Sequence, residues 1–185
     1  ANRHKLDGAI ARIESAREAG RGVCCDRYPY TAGATDLDVL FPAWMHEGGR
    51  TATLARLDDA AQRRRLCAAL NAAVDAADWA EIVVAGTVAP AHRAFRGRPL
   101  PEVAEALRCS PAEAVIRLCR GDALRTGAFF GGMSEDNMRR ILSLPYAMPG
   151  SDASLRTRSG PLGDDYPHPR TFGAFARYLR LLQDG

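Results

Sequence analysis

Asp152 closes the run Tyr146-Ala147-Met148-Pro149-Gly150-Ser151-Asp152. The run reads as a short apolar strand that ends on a carboxylate. Where strands and helices alternate around a barrel, the groups that do chemistry sit at the C-terminal ends of the strands. A carboxylate there can hold a metal ion or move a proton. As local pattern alone, Ser151 and Asp152 also read as the cap of a loop or of the next helix.

The elements that would position Asp152 can be traced along the sequence. Leu6, Ile10 and Ile13 form a helical stripe, and Gly20 suits its C-terminal cap. Gly22 to Asp26 reads as a short buried strand running into Tyr28-Pro29-Tyr30. Thr31 to Arg50 reads as loop. Asp58 to about Asp78 is rich in alanine and leucine and reads as helix, and Glu81 to Ala85 reads as a second strand. Another helix runs through Val103 and Leu107. Ser110-Pro111-Ala112-Glu113 is a helix start, with a capping serine, a first-turn proline and a glutamate placed for a capping box. Gly121 ends that helix, and Ala128-Phe129-Phe130 reads as a short strand. Ser134 opens a helix with Glu135 and Asp136 in its first turn, and Pro145 stops it. After Asp152 come a polar loop, Arg156 to Tyr166, and a last helix near Phe172 to Leu182.

Composition narrows the classes. The 185 residues suffice for a domain with a real core, and the 46% hydrophobic and 25% charged shares are those of an ordinary globular protein. No apolar run approaches the roughly 20 residues that span a bilayer. The net charge of +3 comes mostly from scattered arginines. The densest run, Arg63-Arg64-Arg65, lies in the alanine-rich helical stretch and reads as a solvated face, without the aromatic interleaving of a nucleic-acid surface. Five cysteines, at 24, 25, 67, 109 and 119, with no Cys-x-x-Cys, suit free thiols in a reducing compartment and hence a cytoplasmic protein. Cys24 and Cys25 are expected to pack as small hydrophobes. His4, His46 and His92 read as surface residues, and no histidine belongs to a set with metal-ligand spacing. His168, between two prolines, is rigidly held and reads as structural.

Six short motifs stand in one order: Asp26-Arg27-Tyr28-Pro29-Tyr30-Thr31-Ala32, Pro42-Ala43-Trp44, Gly48-Gly49, Met133-Ser134-Glu135, Gly150-Ser151-Asp152 and His168-Pro169-Arg170. Together they resemble the D-aminoacylase (N-acyl-D-amino-acid deacylase) branch of the amidohydrolase superfamily. The resemblance covers nearly the whole chain and is strongest over 22–49 and 133–177. It implies an α/β fold: the last strands of a metal-dependent hydrolase (β/α)8 barrel with an inserted, mainly helical lid subdomain. Residues 1–30 and 128–185 would form the C-terminal barrel portion and 31–127 the lid.

The resemblance also implies the chemistry. Enzymes of that family are longer, and their main zinc ligands precede the Tyr-Pro-Tyr strand. This chain has no His-x-His, so it is expected to be a C-terminal portion that holds no zinc and is inactive in isolation. Barrel strands without neighbours would make it self-associate. Asp152 matches the family's strand-ending aspartate, the catalytic proton carrier, which also ligates a loosely held second metal in the full-length enzyme. Arg170 matches the arginine that pairs with the free carboxylate of an N-acyl-D-amino acid, which its planar fork can grip; the plainer role is a surface ion pair. Tyr28 matches a tyrosine near that carboxylate and otherwise reads as a ring packed at the barrel mouth. Ala34 stands where relatives carry a hydroxyl, a substrate contact that Thr35 could replace. The interval from Asp152 to His168 is longer than in the family's best-known members, through Leu155 to Asp165. Two other readings are a cyclic amidase of the same superfamily, hydantoinase-like, and a non-catalytic interaction domain. Neither a nucleic-acid nor a membrane partner is expected.

Overall fold

A computed structural model describes residues 3–183. In sequence order its elements are α1 (Leu6–Glu18), β1 (Cys25–Arg27), β2 (Gly33–Asp36), α2 (Ala43–His46), α3 (Gly49–Asp58), α4 (Ala60–Ala73), α5 (Ala76–Ala80), β3 (Ile82–Gly86), α6 (Leu100–Ala106), α7 (Pro111–Gly121), β4 (Gly127–Phe130), α8 (Glu135–Leu142), β5 (Ala147–Pro149) and α9 (Arg170–Gln183). They fall into two compact units. The first takes the chain up to Ala32, Gly132–Arg156 and from His168 onward; the second takes Gly33–Gly131 and Thr157–Pro167.

The first unit is built on a parallel pair. Strand β1 runs beside β5 with Cys25 opposite Ala147, Asp26 opposite Met148 and Arg27 opposite Pro149. Both strands are cut short by proline, which cannot donate to a ladder. Pro29 follows β1 by two residues, and Pro149 is the last residue of β5. Each strand therefore ends at the same edge, and the residues that follow are displayed there together. Helix α1 ends in a Schellman arrangement. Gly20, at φ 79°, donates to Arg17 O at 2.9 Å, and Arg21 donates to Ala16 O at 3.1 Å. Helix α8 starts on Ser134, whose Oγ accepts from Asn137 N at 3.2 Å. Cys24 is exposed and Cys25 half-buried, so the expectation that both pack in a core is met by neither fully. The strand beside them is shorter than the run Gly22 to Asp26 suggested, and it leaves Cys24 ahead of the ladder.

The second unit carries the hydrophobic core. Its antiparallel sheet has the order β2-β4-β3. Against it pack Leu37, Met45, Leu57, Leu66, Leu70, Leu100, Ile116 and Leu118, all at most 1% exposed. Each such side chain contributes about 1.5–3 kcal/mol over its exposed state. Helix α7 is central, burying Ala112, Ala114, Val115, Ile116, Leu118 and Cys119. Ser110 caps it by accepting from Glu113 N at 3.2 Å; the Glu113 carboxylate reaches Arg117 Nε at 3.1 Å, one turn on. The stretch Thr31 to Arg50, which reads as loop, holds β2, α2 and the start of α3. Residues 33–36 lack a β-branched run, and only the pairing with β4 makes them a strand.

The segment Thr157–Pro167 is pinned within this unit. Tyr166 N donates to Ala85 O at 3.1 Å, and Arg96 pairs with Asp164 at 3.3 Å and with Asp165 at 3.7 Å. His92 departs from its surface reading. Its Nδ1 lies 3.1 Å from Oδ1 of Asp122, a carboxylate 1% exposed that also accepts from Val88 N, Ala89 N and Thr126 Oγ1. A buried carboxylate is tolerable when its lone pairs are filled this way.

Candidate active site

Three of the residues singled out from sequence meet at the open end of the parallel pair. Tyr28 follows β1 directly, and Asp152 stands three residues beyond β5. Arg170 opens α9. Its Nη1 lies 2.8 Å from Oδ2 of Asp152, and its Cζ stands 4.6 Å from the centre of the Tyr28 ring. Arg170 is 8% exposed, so its charge needs the carboxylate and the aromatic face it is given. Asp152 adopts φ 46°, a left-handed conformation that aspartate tolerates better than most residues. Backbone in that region is a recurrent feature of functional loops.

His168 sets the start of α9. Its Nδ1 accepts from Arg170 N at 3.0 Å, so the proton sits on Nε2, which donates to Ala32 O at 3.1 Å. The ring is therefore neutral. Burial first, and then the Arg170 charge, hold its pKa below the ordinary 6.5. The ring also stands edge-on to Tyr28 and to Tyr30, at 6.1 Å and 5.6 Å between centres.

Two further arginines complete the surroundings. Arg27 lies 4.1 Å over the Tyr28 ring and donates to Tyr30 O at 2.9 Å. Arg177 donates to Pro29 O at 2.6 Å and lies 5.0 Å over the Tyr30 ring. Neither was singled out by motif. The signal was present: Arg27 adjoins Tyr28, and Arg177 falls about two turns after Arg170 along one helix face. Gly173, also on α9, lies under Tyr30, and a methyl group there would meet the phenol oxygen. Gly150 similarly leaves room for the Asp26 carboxylate.

Thr35 is the remaining residue read from the sequence as a substrate contact. It lies in the second unit, exposed, on β2 opposite Ala128. No group of three or more His, Cys, Asp or Glu side chains among the described residues is placed to hold a metal ion. No helix among the described residues is long and apolar enough to cross a membrane.

A buried guanidinium faces the carboxylate of Asp152 on the loop beyond β5, at the C-terminal ends of the parallel strands, where α/β proteins commonly place small-molecule sites. No family model matches the chain. It is 28% identical over 179 residues to an N-acyl-D-glutamate deacylase of Alcaligenes xylosoxydans xylosoxydans, covering 97% of this chain and 27% of that protein. Among solved structures it is similar to the N-acyl-D-glutamate deacylase from Bordetella bronchiseptica, solved with zinc and a phosphonate that mimics the tetrahedral intermediate. The TM-score is 0.60 at 26% identity, over 97% of this chain and 28% of that one. A D-aminoacylase defining a novel subset of amidohydrolases matches with TM-score 0.58 at 26% identity, over 98% of this chain and 29% of that one. A D-aminoacylase with a binuclear metal centre matches with TM-score 0.56 at 27% identity, over 97% of this chain and 28% of that one. The chain is thus similar, over nearly its whole length, to a portion of the D-aminoacylase amidohydrolases, as its motifs indicated. It spans just over a quarter of the length of these relatives.

Proposed function

We propose that this chain is part of a metal-dependent hydrolase that cleaves the amide bond of N-acyl-D-amino acids. In this reading β1 and β5 are the last strands of a (β/α)8 barrel and residues 31–127 are its inserted lid. Asp152 is the proton carrier. It takes a proton from the attacking water and returns it to the leaving nitrogen as the carbon–nitrogen bond breaks. Arg170 grips the free carboxylate of the substrate, and Tyr28 supports it. Zinc, which accompanies the Bordetella relative, would be held mainly by residues outside this segment, with Asp152 as an added, loosely held ligand. The five free cysteines favour the cytoplasm as its place of action.

The observation that carries the reading is the Arg170–Asp152 pair at 2.8 Å, at the end of the two parallel strands. A carboxylate-binding residue and a proton carrier meet where amide hydrolysis of an acidic substrate needs both. The test is Asp152→Asn in the enzyme that contains this segment. General acid–base help is worth a factor of about 10² to 10⁴, and kcat on N-acyl-D-amino acids should fall at least that far. Near-normal turnover would reduce Asp152 to a loop residue.

A further inference from the structure

We propose that His168 is a positioning residue: its ring bridges Ala32 O to Arg170 N and so fixes where the Arg170 guanidinium meets a carboxylate. The inference rests on the carboxylate-binding role just given to Arg170 and adds what aims that side chain. His168 is 5% exposed. Its Nδ1 accepts from Arg170 N at 3.0 Å, and its Nε2 donates to Ala32 O at 3.1 Å, 136 residues away in sequence. Its carbonyl also accepts from Thr171 N at 2.9 Å, so His168 caps α9 with side chain and main chain together. The same ring stands edge-on to Tyr28, on whose face Arg170 stacks at 4.6 Å. All of these groups lie in the first unit.

A cap alone does not need an imidazole. Serine, threonine, aspartate and asparagine are the usual caps, and their short side chains accept from a nearby helix N–H and reach no further. The second ring nitrogen is what histidine adds, and it bonds the chain just beyond Tyr28-Pro29-Tyr30. The backbone of Arg170 is thereby held to the segment that carries Tyr28, where the far end of its side chain lies. Arg177, further along α9, donates to Pro29 O at 2.6 Å and ties the helix to this turn a second time. Without the His168 bridge, the long Arg170 side chain starts from a looser base and must be ordered by the substrate, which weakens its grip. A misplacement of about 1 Å is enough to be felt at a reacting centre.

The test is steady-state kinetics of the proposed hydrolase on N-acetyl-D-glutamate. Asparagine places an acceptor where Nδ1 stands but does not reach Ala32 O, whereas glutamine places a donor where Nε2 stands. His168→Asn should keep the helix cap yet raise KM about two- to tenfold, the range of one neutral hydrogen bond, with kcat much less affected. His168→Gln should stay closer to the unaltered enzyme. Combined with Arg170→Gln, His168→Asn should raise KM no further, because its effect runs through Arg170. A residue that only caps the helix gives the reverse order, with asparagine as good as histidine and glutamine worse. That order, or KM increases that multiply in the double variant, would overturn the proposal. Failure of the underlying reading shows separately, as no turnover by the unaltered enzyme or an unchanged KM in Arg170→Gln alone, and takes the positioning role with it.

Discussion

At the scale of single residues, the roles given to Arg170 and His168 predict different behaviour. Arg170→Lys keeps the charge but loses the planar fork, so in the proposed hydrolase it should raise KM more than it lowers kcat. The opposite split in steady-state kinetics would exchange the roles of Arg170 and Asp152. His168 makes a prediction about pH. Its folded pKa lies below the ordinary 6.5, so between the two values the unfolded state binds more protons. Its full contribution is present above 6.5 and is lost as pH falls from there through the depressed folded value. His168→Gln retains an acceptor and a donor without titrating. Urea unfolding should therefore show the advantage of the histidine over the glutamine shrinking as pH drops below 6.5. An advantage that is constant or grows toward acid would contradict the neutral, buried imidazole.

Among the elements, helix α9 offers a test in which two effects oppose each other. Gly173→Ala removes a helix-interior glycine, which by propensity alone gains about 1 kcal/mol. The added methyl group meets the Tyr30 hydroxyl, and Tyr30 packs against His168 and under Arg177. Overpacking of this kind costs about 1–3 kcal/mol, and the net change should be destabilising. A stabilised variant in thermal unfolding would show that Tyr30 moves freely. The elements also show what the sequence made legible. Helix starts at Ser110 and Ser134 could be read because capping is local: a serine, then a free N–H three residues on. The Gly20 stop was equally local. Strand β2 was not legible, because Gly33-Ala34-Thr35-Asp36 owes its form to the distant partner β4. At the site, Asp152, Arg170 and Tyr28 could be named from motif order. The pairing of Asp152 with Arg170, and the part played by Arg27 and Arg177, needed the fold. Contacts between segments far apart in sequence leave no spacing to read.

For the whole molecule, the parallel pair is the telling feature. Parallel strands are normally covered on both faces and flanked by further strands. Here β1 and β5 pair only with each other among the described residues. Helix α9 also exposes Phe172, Phe175, Leu179 and Leu182, each more than half accessible. The 185-residue chain should therefore self-associate, and light scattering at micromolar concentration should give a mass above that of the 20.0 kDa monomer. A clean monomer would count against reading these edges as barrel strands. The central claim is the reaction itself. Its most direct measurement is the rate at which the proposed hydrolase turns over N-acetyl-D-glutamate, set beside the L-enantiomer and a hydantoin ring. The account predicts release of the free D-amino acid, with the L-enantiomer and the ring turned over far more slowly. Cleavage of the ring without hydrolysis of the acyclic D-substrate, or no hydrolysis of any of the three, would contradict it.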